Sequence, residues 1–126
     1  MLTDKDLKIL VVDDFSATRT IVINHLSKLG YSRTVEAENG FSALAMLKSA
    51  LFDLVVTDCS LSDMSGLDLL KLIRADSDLK QIPVLMTISE DLQGNIITAI
   101  KAGLNDYIIK PFEVNEFKQK REKIFV

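Results

Sequence analysis

The sequence has little of what many protein chemistries rely on. Among its 126 residues there is one cysteine, Cys59, and one histidine, His25. A single cysteine excludes an internal disulfide and suits a reducing compartment, so a cytoplasmic location is expected. A single histidine excludes a multi-histidine metal site, and His25 is expected at the surface or half-buried on a helix. No apolar run approaches the roughly 18 residues that a membrane span needs, and no membrane association is expected. The opening Met1-Leu2-Thr3-Asp4-Lys5-Asp6 carries acids and no apolar stretch, so a signal peptide is not expected. Positive charge is not in surplus either: 15 Lys and Arg stand against 18 Asp and Glu, a net charge of −3. Without a global attraction to polyanions, a nucleic-acid role for this chain alone is set aside.

What is present is a globular balance, 48% hydrophobic and 26% charged, in a length that suits one domain over residues 1–126. Short apolar runs alternate with stretches of helical period. Lys8-Ile9-Leu10-Val11-Val12 reads as a buried parallel strand ended by two acids. Val22, Leu26 and Leu29 give a helical stripe, stopped by Gly30. Thr34 to Glu38 reads as a second strand closed by the turn pair Asn39-Gly40. Leu44, Leu47 and Leu51 mark a second helix, and Leu54-Val55-Val56-Thr57 a third strand that delivers Asp58. Leu67, Leu70 and Ile73 mark the third helix, Val84 to Ile88 the fourth strand, and Leu92, Ile96 and Ile100 the fourth helix before Gly103. Tyr107-Ile108-Ile109 is the fifth strand, stopped by Lys110-Pro111. Val114, Phe117 and Ile124 mark a last helix whose stripe Arg121 interrupts. Five βα repeats with uniformly apolar strands imply a parallel sheet covered by helices on both faces. Ligands of such sheets sit outside the carboxyl ends of the strands.

The polar residues at those ends are informative. Asp13, Asp14, Asp58 and Lys110 immediately follow apolar strands one, three and five. If those strands are neighbours, three carboxylates and one ammonium converge on one edge. Like charges about 4 Å apart repel by roughly 4 kcal/mol at a surface-like dielectric, so the cluster demands cations. Lys110 supplies one, and hard oxygen ligands with room for water suit Mg²⁺. A carboxylate between a metal and a lysine can accept a phosphoryl group, with catalysis by positioning and electrostatics. The plainer alternative, strand-end acids that merely cap loops, explains any one of these residues more readily than all four.

Over essentially its whole length the chain resembles the response-regulator receiver family of the chemotaxis CheY type. The resemblance rests on Leu10-Val11-Val12-Asp13-Asp14-Phe15-Ser16, Asp58, Gly66-Leu67-Asp68-Leu69-Leu70-Lys71, Ile73-Arg74-Ala75-Asp76, Pro83-Val84-Leu85-Met86, Asn95-Ile96-Ile97, and Lys101-Ala102-Gly103 through Tyr107-Ile108-Ile109-Lys110-Pro111-Phe112. It implies an α/β flavodoxin-like fold with sheet order 2-1-3-4-5. It implies that Asp58 accepts a phosphoryl group from a histidine kinase or acetyl phosphate, so that the protein is a monomeric signalling phosphoacceptor and not a metabolic enzyme. Asp14 would hold Mg²⁺ directly and Asp13 through water, with the Ser60 backbone carbonyl as a further ligand and Lys110 on the phosphoryl oxygens. Tyr107 would be the switch aromatic, although a strand tyrosine with a wet hydroxyl has the same appearance. The family's cis peptide would fall at Lys110-Pro111, against a general X–Pro frequency of about 5–6%.

The chain departs from the family in three places. The Thr or Ser expected at the end of strand four is Ile88, flanked by Thr87 and Ser89. One charge-assisted hydrogen bond, of order 1.5–3 kcal/mol, is then missing unless a bulge brings Thr87 or Ser89 in, or switching is weak. After the acceptor, the family's Met-Pro is Leu61-Ser62, and loss of proline is expected to loosen the loop. Ser60 replaces the Asn that tunes dephosphorylation, while Glu90 matches. On the output face Tyr107 and Lys120 match, but Leu92 and Gln93 stand where two lysines are usual, which leaves binding to the flagellar motor switch open. Cys59, Met46, Met64 and Met86 are expected to pack, and the charges after Phe117 to form a solvated face. A haloacid-dehalogenase-type phosphatase is excluded because Phe15 and Ser60 stand where it needs a second Asp. An unphosphorylated pseudo-receiver and a phosphate sink remain as alternatives.

Overall fold

A computed structural model describes residues 6–89 and 96–125. The chain alternates strictly: β1 (Ile9–Val12), α1 (Ser16–Lys28), β2 (Thr34–Ala37), α2 (Gly40–Ser49), β3 (Leu54–Asp58), α3 (Gly66–Ala75), β4 (Val84–Ser89), α4 (Ile96–Lys101), β5 (Asp106–Lys110) and α5 (Val114–Ile124). The five strands form one parallel sheet in the order β2-β1-β3-β4-β5. This is the expected α/β fold and strand order.

Strand alternation divides the core into two layers. Leu10, Val12, Val55, Val84, Met86 and Ile88 pack on one face with Ala43, Leu47, Leu69, Leu70, Ile73 and Ala99. Ile9, Val11, Leu54, Val56, Leu85 and Ile108 pack on the other with Val22, Leu26 and Phe117. A strand covered on both faces cannot alternate apolar with polar residues, which is why these runs are continuously hydrophobic.

Helix ends follow local chemistry. After α1, Gly30 takes a φ of 96°. There Tyr31 N–H reaches the Leu26 carbonyl at 2.9 Å and Gly30 N–H that of Ser27 at 3.0 Å, closing the last turn. Asn39 is not a turn residue but the N-cap of α2, its side chain accepting from Ser42 N–H at 2.8 Å. Ser65 and Asp68 form a reciprocal capping box on α3.

Two helical stripes run differently from the sequence expectation. In α2 the inward residues are Gly40, Ala43 and Leu47. Leu51 lies beyond the helix end and is 93% exposed. In α4 Ala99 is buried while Ile100 is exposed, and Leu92 lies outside the described residues. Small residues let these helices approach the sheet closely, and a count of large apolar residues overlooks them. Arg121 continues the α5 stripe by placing its guanidinium over the Tyr31 ring, 6.0 Å from the centroid. No helix among the described residues is long and apolar enough to cross a membrane.

Candidate functional site

Asp13, Asp14, Asp58 and Lys110 meet at the carboxyl edge of the sheet because β1, β3 and β5 end there. Each of the three aspartates offers a carboxylate oxygen within 4.8 Å of the others. Asp13 and Asp58 are buried and Asp14 is half-buried. Lys110 Nζ donates to Asp58 Oδ1 at 3.0 Å and lies 4.0 Å from Asp13 Oδ2. The Cys59 N–H also donates to Asp58 Oδ1, at 2.9 Å, so that oxygen is fixed twice. Asp13 Oδ1 accepts from Phe15 N–H at 2.9 Å. Burial raises the Asp13 carboxyl above its ordinary 3.8, and the charges of Asp58 and Asp14 add to this against the Phe15 N–H and Lys110.

Among the described residues three carboxylates share one nearby ammonium, and Asp14 Oδ1 is buried with no hydrogen-bond partner. An orphaned buried acceptor is costly unless a hydrogen-bond donor or a cation fills its need. Hard anionic oxygens that converge on one point, one of them unsatisfied, fit a small divalent cation such as Mg²⁺.

Two residues without a role in the sequence reading hold the surrounding backbone. Arg19 on α1 donates through Nη1 to the Asp13 carbonyl at 2.6 Å and through Nε to Glu36 Oε1 at 2.9 Å. Gly66 at the start of α3 lies against the acceptor: its N–H reaches the Cys59 carbonyl at 2.8 Å. A Cβ there would come 2.4 Å from the Asp58 carbonyl oxygen. Gly66 was among the residues that carry the family resemblance but, like Arg19, was given no role, because each acts through backbone atoms of a different element.

The loop after the acceptor, which lacks the family's proline, carries several hydrogen bonds. Leu61 N–H bonds the Met64 carbonyl at 3.1 Å, Ser60 and Ser65 bridge, and Asp63 accepts from Gly40 N–H at 2.8 Å and Phe41 N–H at 2.9 Å.

Around Ile88 the strand is regular, with no bulge. Asp58 pairs in register with Thr87, and Ser89 with Lys110. Alternation therefore puts Thr87 and Ser89 on the face that carries Asp58 and Lys110, while Ile88 is buried in the opposite layer with Met86. Tyr107 is half-buried in that same layer, and Lys120 Nζ sits 5.0 Å from its ring centroid while pairing with Asp106 at 3.1 Å. Lys120 and Arg121 thus turn inward, and only the remainder of the α5 charges is solvated. The Lys110–Pro111 peptide is cis. His25 is half-buried on α1, its Nε2 2.9 Å from the Phe112 carbonyl and its ring edge-on to Phe112. A carbonyl only accepts, so Nε2 carries the proton. Cys59, Met46, Met64 and Met86 pack in or against the core. Glu90, Leu92 and Gln93 lie outside the described residues.

Comparison with known proteins gives a consistent answer. A family model described as "Response regulator receiver domain" matches residues 9–122. Chemotaxis protein CheY-3 of Vibrio cholerae is 52% identical over 124 residues, covering 98% of this chain and 95% of that protein. Chemotaxis protein CheY of Pseudomonas aeruginosa is 50% identical over 119 residues, covering 94% and 96%. Among solved structures, chemotaxis response regulator CheY4 of Vibrio cholerae superposes with a TM-score of 0.82 at 27% identity, covering 94% of this chain and 98% of that one. The receiver domain of a sensor histidine kinase from Pseudomonas aeruginosa, with a magnesium ion coordinated in its active-site cleft, gives a TM-score of 0.84 at 27% identity, covering 95% and 98%. The chain belongs to the response-regulator receiver family and, within it, to the CheY kind that serves two-component signalling in chemotaxis.

Proposed function

We propose that this receiver, working as one unit over residues 1–126, accepts a phosphoryl group on Asp58 from the phosphohistidine of a kinase, or from acetyl phosphate. The observation that carries the reading is Lys110 Nζ at 3.0 Å from Asp58 Oδ1, beside two further carboxylates that converge within 4.8 Å. An Asp58 carboxylate oxygen attacks phosphorus. The new O–P bond forms as the P–N bond to the kinase histidine breaks, and the departing imidazole takes a proton from solvent. The Lys110 ammonium donates to the oxygens that gather charge. The Cys59 N–H holds the carboxylate in one rotamer, which lowers the entropic part of the barrier. Asp13, Asp14, Asp58 and the Ser60 carbonyl would hold Mg²⁺, which when bound offsets the charge of the carboxylates and of the transferring group.

Signalling then follows by population shift: the added charge at Asp58 biases the adjoining loops and Tyr107 towards an arrangement that a partner prefers. The kinase and the flagellar motor switch are the partners in this reading, and the protein acts as a cytoplasmic monomer. Buried Ile88 favours a second outcome, in which phosphorylation proceeds but output is weak and the protein serves as a phosphate sink. Incubation with acetyl phosphate and magnesium, followed by intact-mass measurement and titration with a flagellar switch peptide, tests both. A gain of one phosphoryl group, absent in Asp58→Asn, is expected. No gain, or a gain that persists in Asp58→Asn, overturns the assignment.

A further inference from the structure

We infer that Asp63 is a positioning residue for the metal site, acting through the loop that carries Ser60. This rests on the reading of Asp13, Asp14, Asp58 and Ser60 as the cation's holders. Asp63 lies five positions after the acceptor, and its two oxygens accept not from the site but from Gly40 N–H at 2.8 Å and Phe41 N–H at 2.9 Å.

These are the first two amides of α2, which lack partners within the helix. The first turn of α2 has no acidic residue, so the anion that favours a helix N-terminus comes from a different loop. The carboxylate therefore spans from β3–α3 to α2 and ties one to the other. The tie is reinforced by packing, since a Cβ on Gly40 would meet Met64 Sδ at 2.4 Å. Within the loop, Leu61 N–H to the Met64 carbonyl and the Ser60–Ser65 bridge pass the constraint back to Ser60. A backbone carbonyl can be placed only by placing its chain, and no other side chain of residues 60–64 has a bond to another element among the described residues. The same helix end carries an independent cap, Asn39 to Ser42 N–H, which does not involve the loop. Nature has therefore supplied a control.

The test compares wild type with Asp63→Ala, Asp63→Asn and Asn39→Ala. Magnesium is titrated calorimetrically into metal-free protein with no phosphodonor, and amide exchange is followed at Leu61 and Gly66. Asp63→Ala is expected to weaken magnesium binding about tenfold, the size typical when a group that orients a ligand is lost, and to speed exchange at both amides. Asp63→Asn, which keeps one acceptor oxygen, is expected to fall between. Asn39→Ala is expected to lower thermal stability but leave magnesium affinity within about twofold. Equal shifts in Asn39→Ala and Asp63→Ala overturn the inference, as does an Asp63→Ala protein that melts earlier yet binds magnesium as wild type does. Should wild type bind no magnesium, the reading of the site fails, and unchanged exchange in Asp63→Ala separately removes the tie.

Discussion

Lys110 Nζ stands 3.0 Å from Asp58 Oδ1 and 4.0 Å from Asp13 Oδ2, so one ammonium serves two buried carboxylates unequally. Its side chain is 25% exposed and that of Asp58 only 9%, which makes the pair stronger than a surface ion pair but still partly screened. Replacement by methionine removes the ammonium that Asp58 and Asp13 share. Lys110→Met is expected to cost about 1–3 kcal/mol in metal-free protein, and to slow phosphorylation by acetyl phosphate at least tenfold. Thermal melts and time-resolved intact mass measure the two effects. A variant phosphorylated at the wild-type rate contradicts the role given to the ammonium.

Asp13 gives a pH signature of known sign. Its folded carboxyl titrates above the ordinary 3.8, from burial first and then from Asp58 and Asp14. The folded state therefore holds the proton more tightly than the unfolded chain does. Stability contributed by this group is full below the unfolded value and lost as pH rises through the folded one. Asp13→Asn removes that loss. Metal-free Asp13→Asn is expected to melt above wild type at pH 7, and a gain of about 1 kcal/mol corresponds to roughly 3–6 °C in a domain of this size. The gap should close as pH falls below the ordinary carboxylate range. A gap that is constant with pH places the cause elsewhere.

Magnesium itself is expected to raise the melting temperature, because a ligand held only by the folded state adds about 2.7 kcal/mol at a hundred times its dissociation constant. Asp14 is the residue that isolates this effect, since its Oδ1 is buried without a hydrogen-bond partner among the described residues. Asp14→Asn should abolish the magnesium-dependent shift while leaving the metal-free fold intact. Chelation should return wild type to its metal-free melting temperature. A shift that survives in Asp14→Asn moves the ion off this cluster.

The four charged groups of the site were legible because each directly follows an apolar strand, and the strand order needed only the βα alternation and the family resemblance. Asp63 and Arg19 were not legible. Their partners are the amides of Gly40 and Phe41 and the carbonyl of Asp13, and backbone atoms leave no mark on residue type. Helix faces were misjudged where the contact is made by Ala43 or Ala99 rather than by a large side chain. The register at Ile88 was legible in kind, but its consequence was not: alternation alone leaves Thr87 and Ser89 on the acceptor's face.

Gly66 tests how closely α3 must approach the acceptor. A methyl group there would lie 2.4 Å from the Asp58 carbonyl oxygen and 2.9 Å from Cys59 Cα, both backbone atoms that cannot rotate away. Gly66→Ala is expected to cost about 1–3 kcal/mol, as overpacking does, and to displace Cys59, whose N–H holds Asp58 Oδ1. Phosphorylation should slow along with the loss of stability. An alanine tolerated in both melt and mass measurements shows that α3 can move back without disturbing the acceptor.

Ile88 decides between a full switch and a sink. Its side chain is buried in the layer that also holds Tyr107 and Ala99, and it offers no hydroxyl to a phosphorylated Asp58. Ile88→Thr places one at the end of β4 on the sheet face opposite Asp58, where only a rearranged active state brings it to the phosphoryl group, at the cost of a hydroxyl in an apolar layer and a lost methylene. Stability is expected to fall by about 1–2 kcal/mol, while the ratio of phosphorylated to unphosphorylated affinity for a flagellar switch peptide rises. One charge-assisted hydrogen bond made only in the active state is worth of order 1.5–3 kcal/mol, or roughly a tenfold or greater change in that ratio. Thr87→Val is the complementary variant, since Thr87 is the register partner of Asp58. If Ile88→Thr leaves the ratio unchanged and Thr87→Val collapses it, the coupling runs through Thr87 and the sink reading falls.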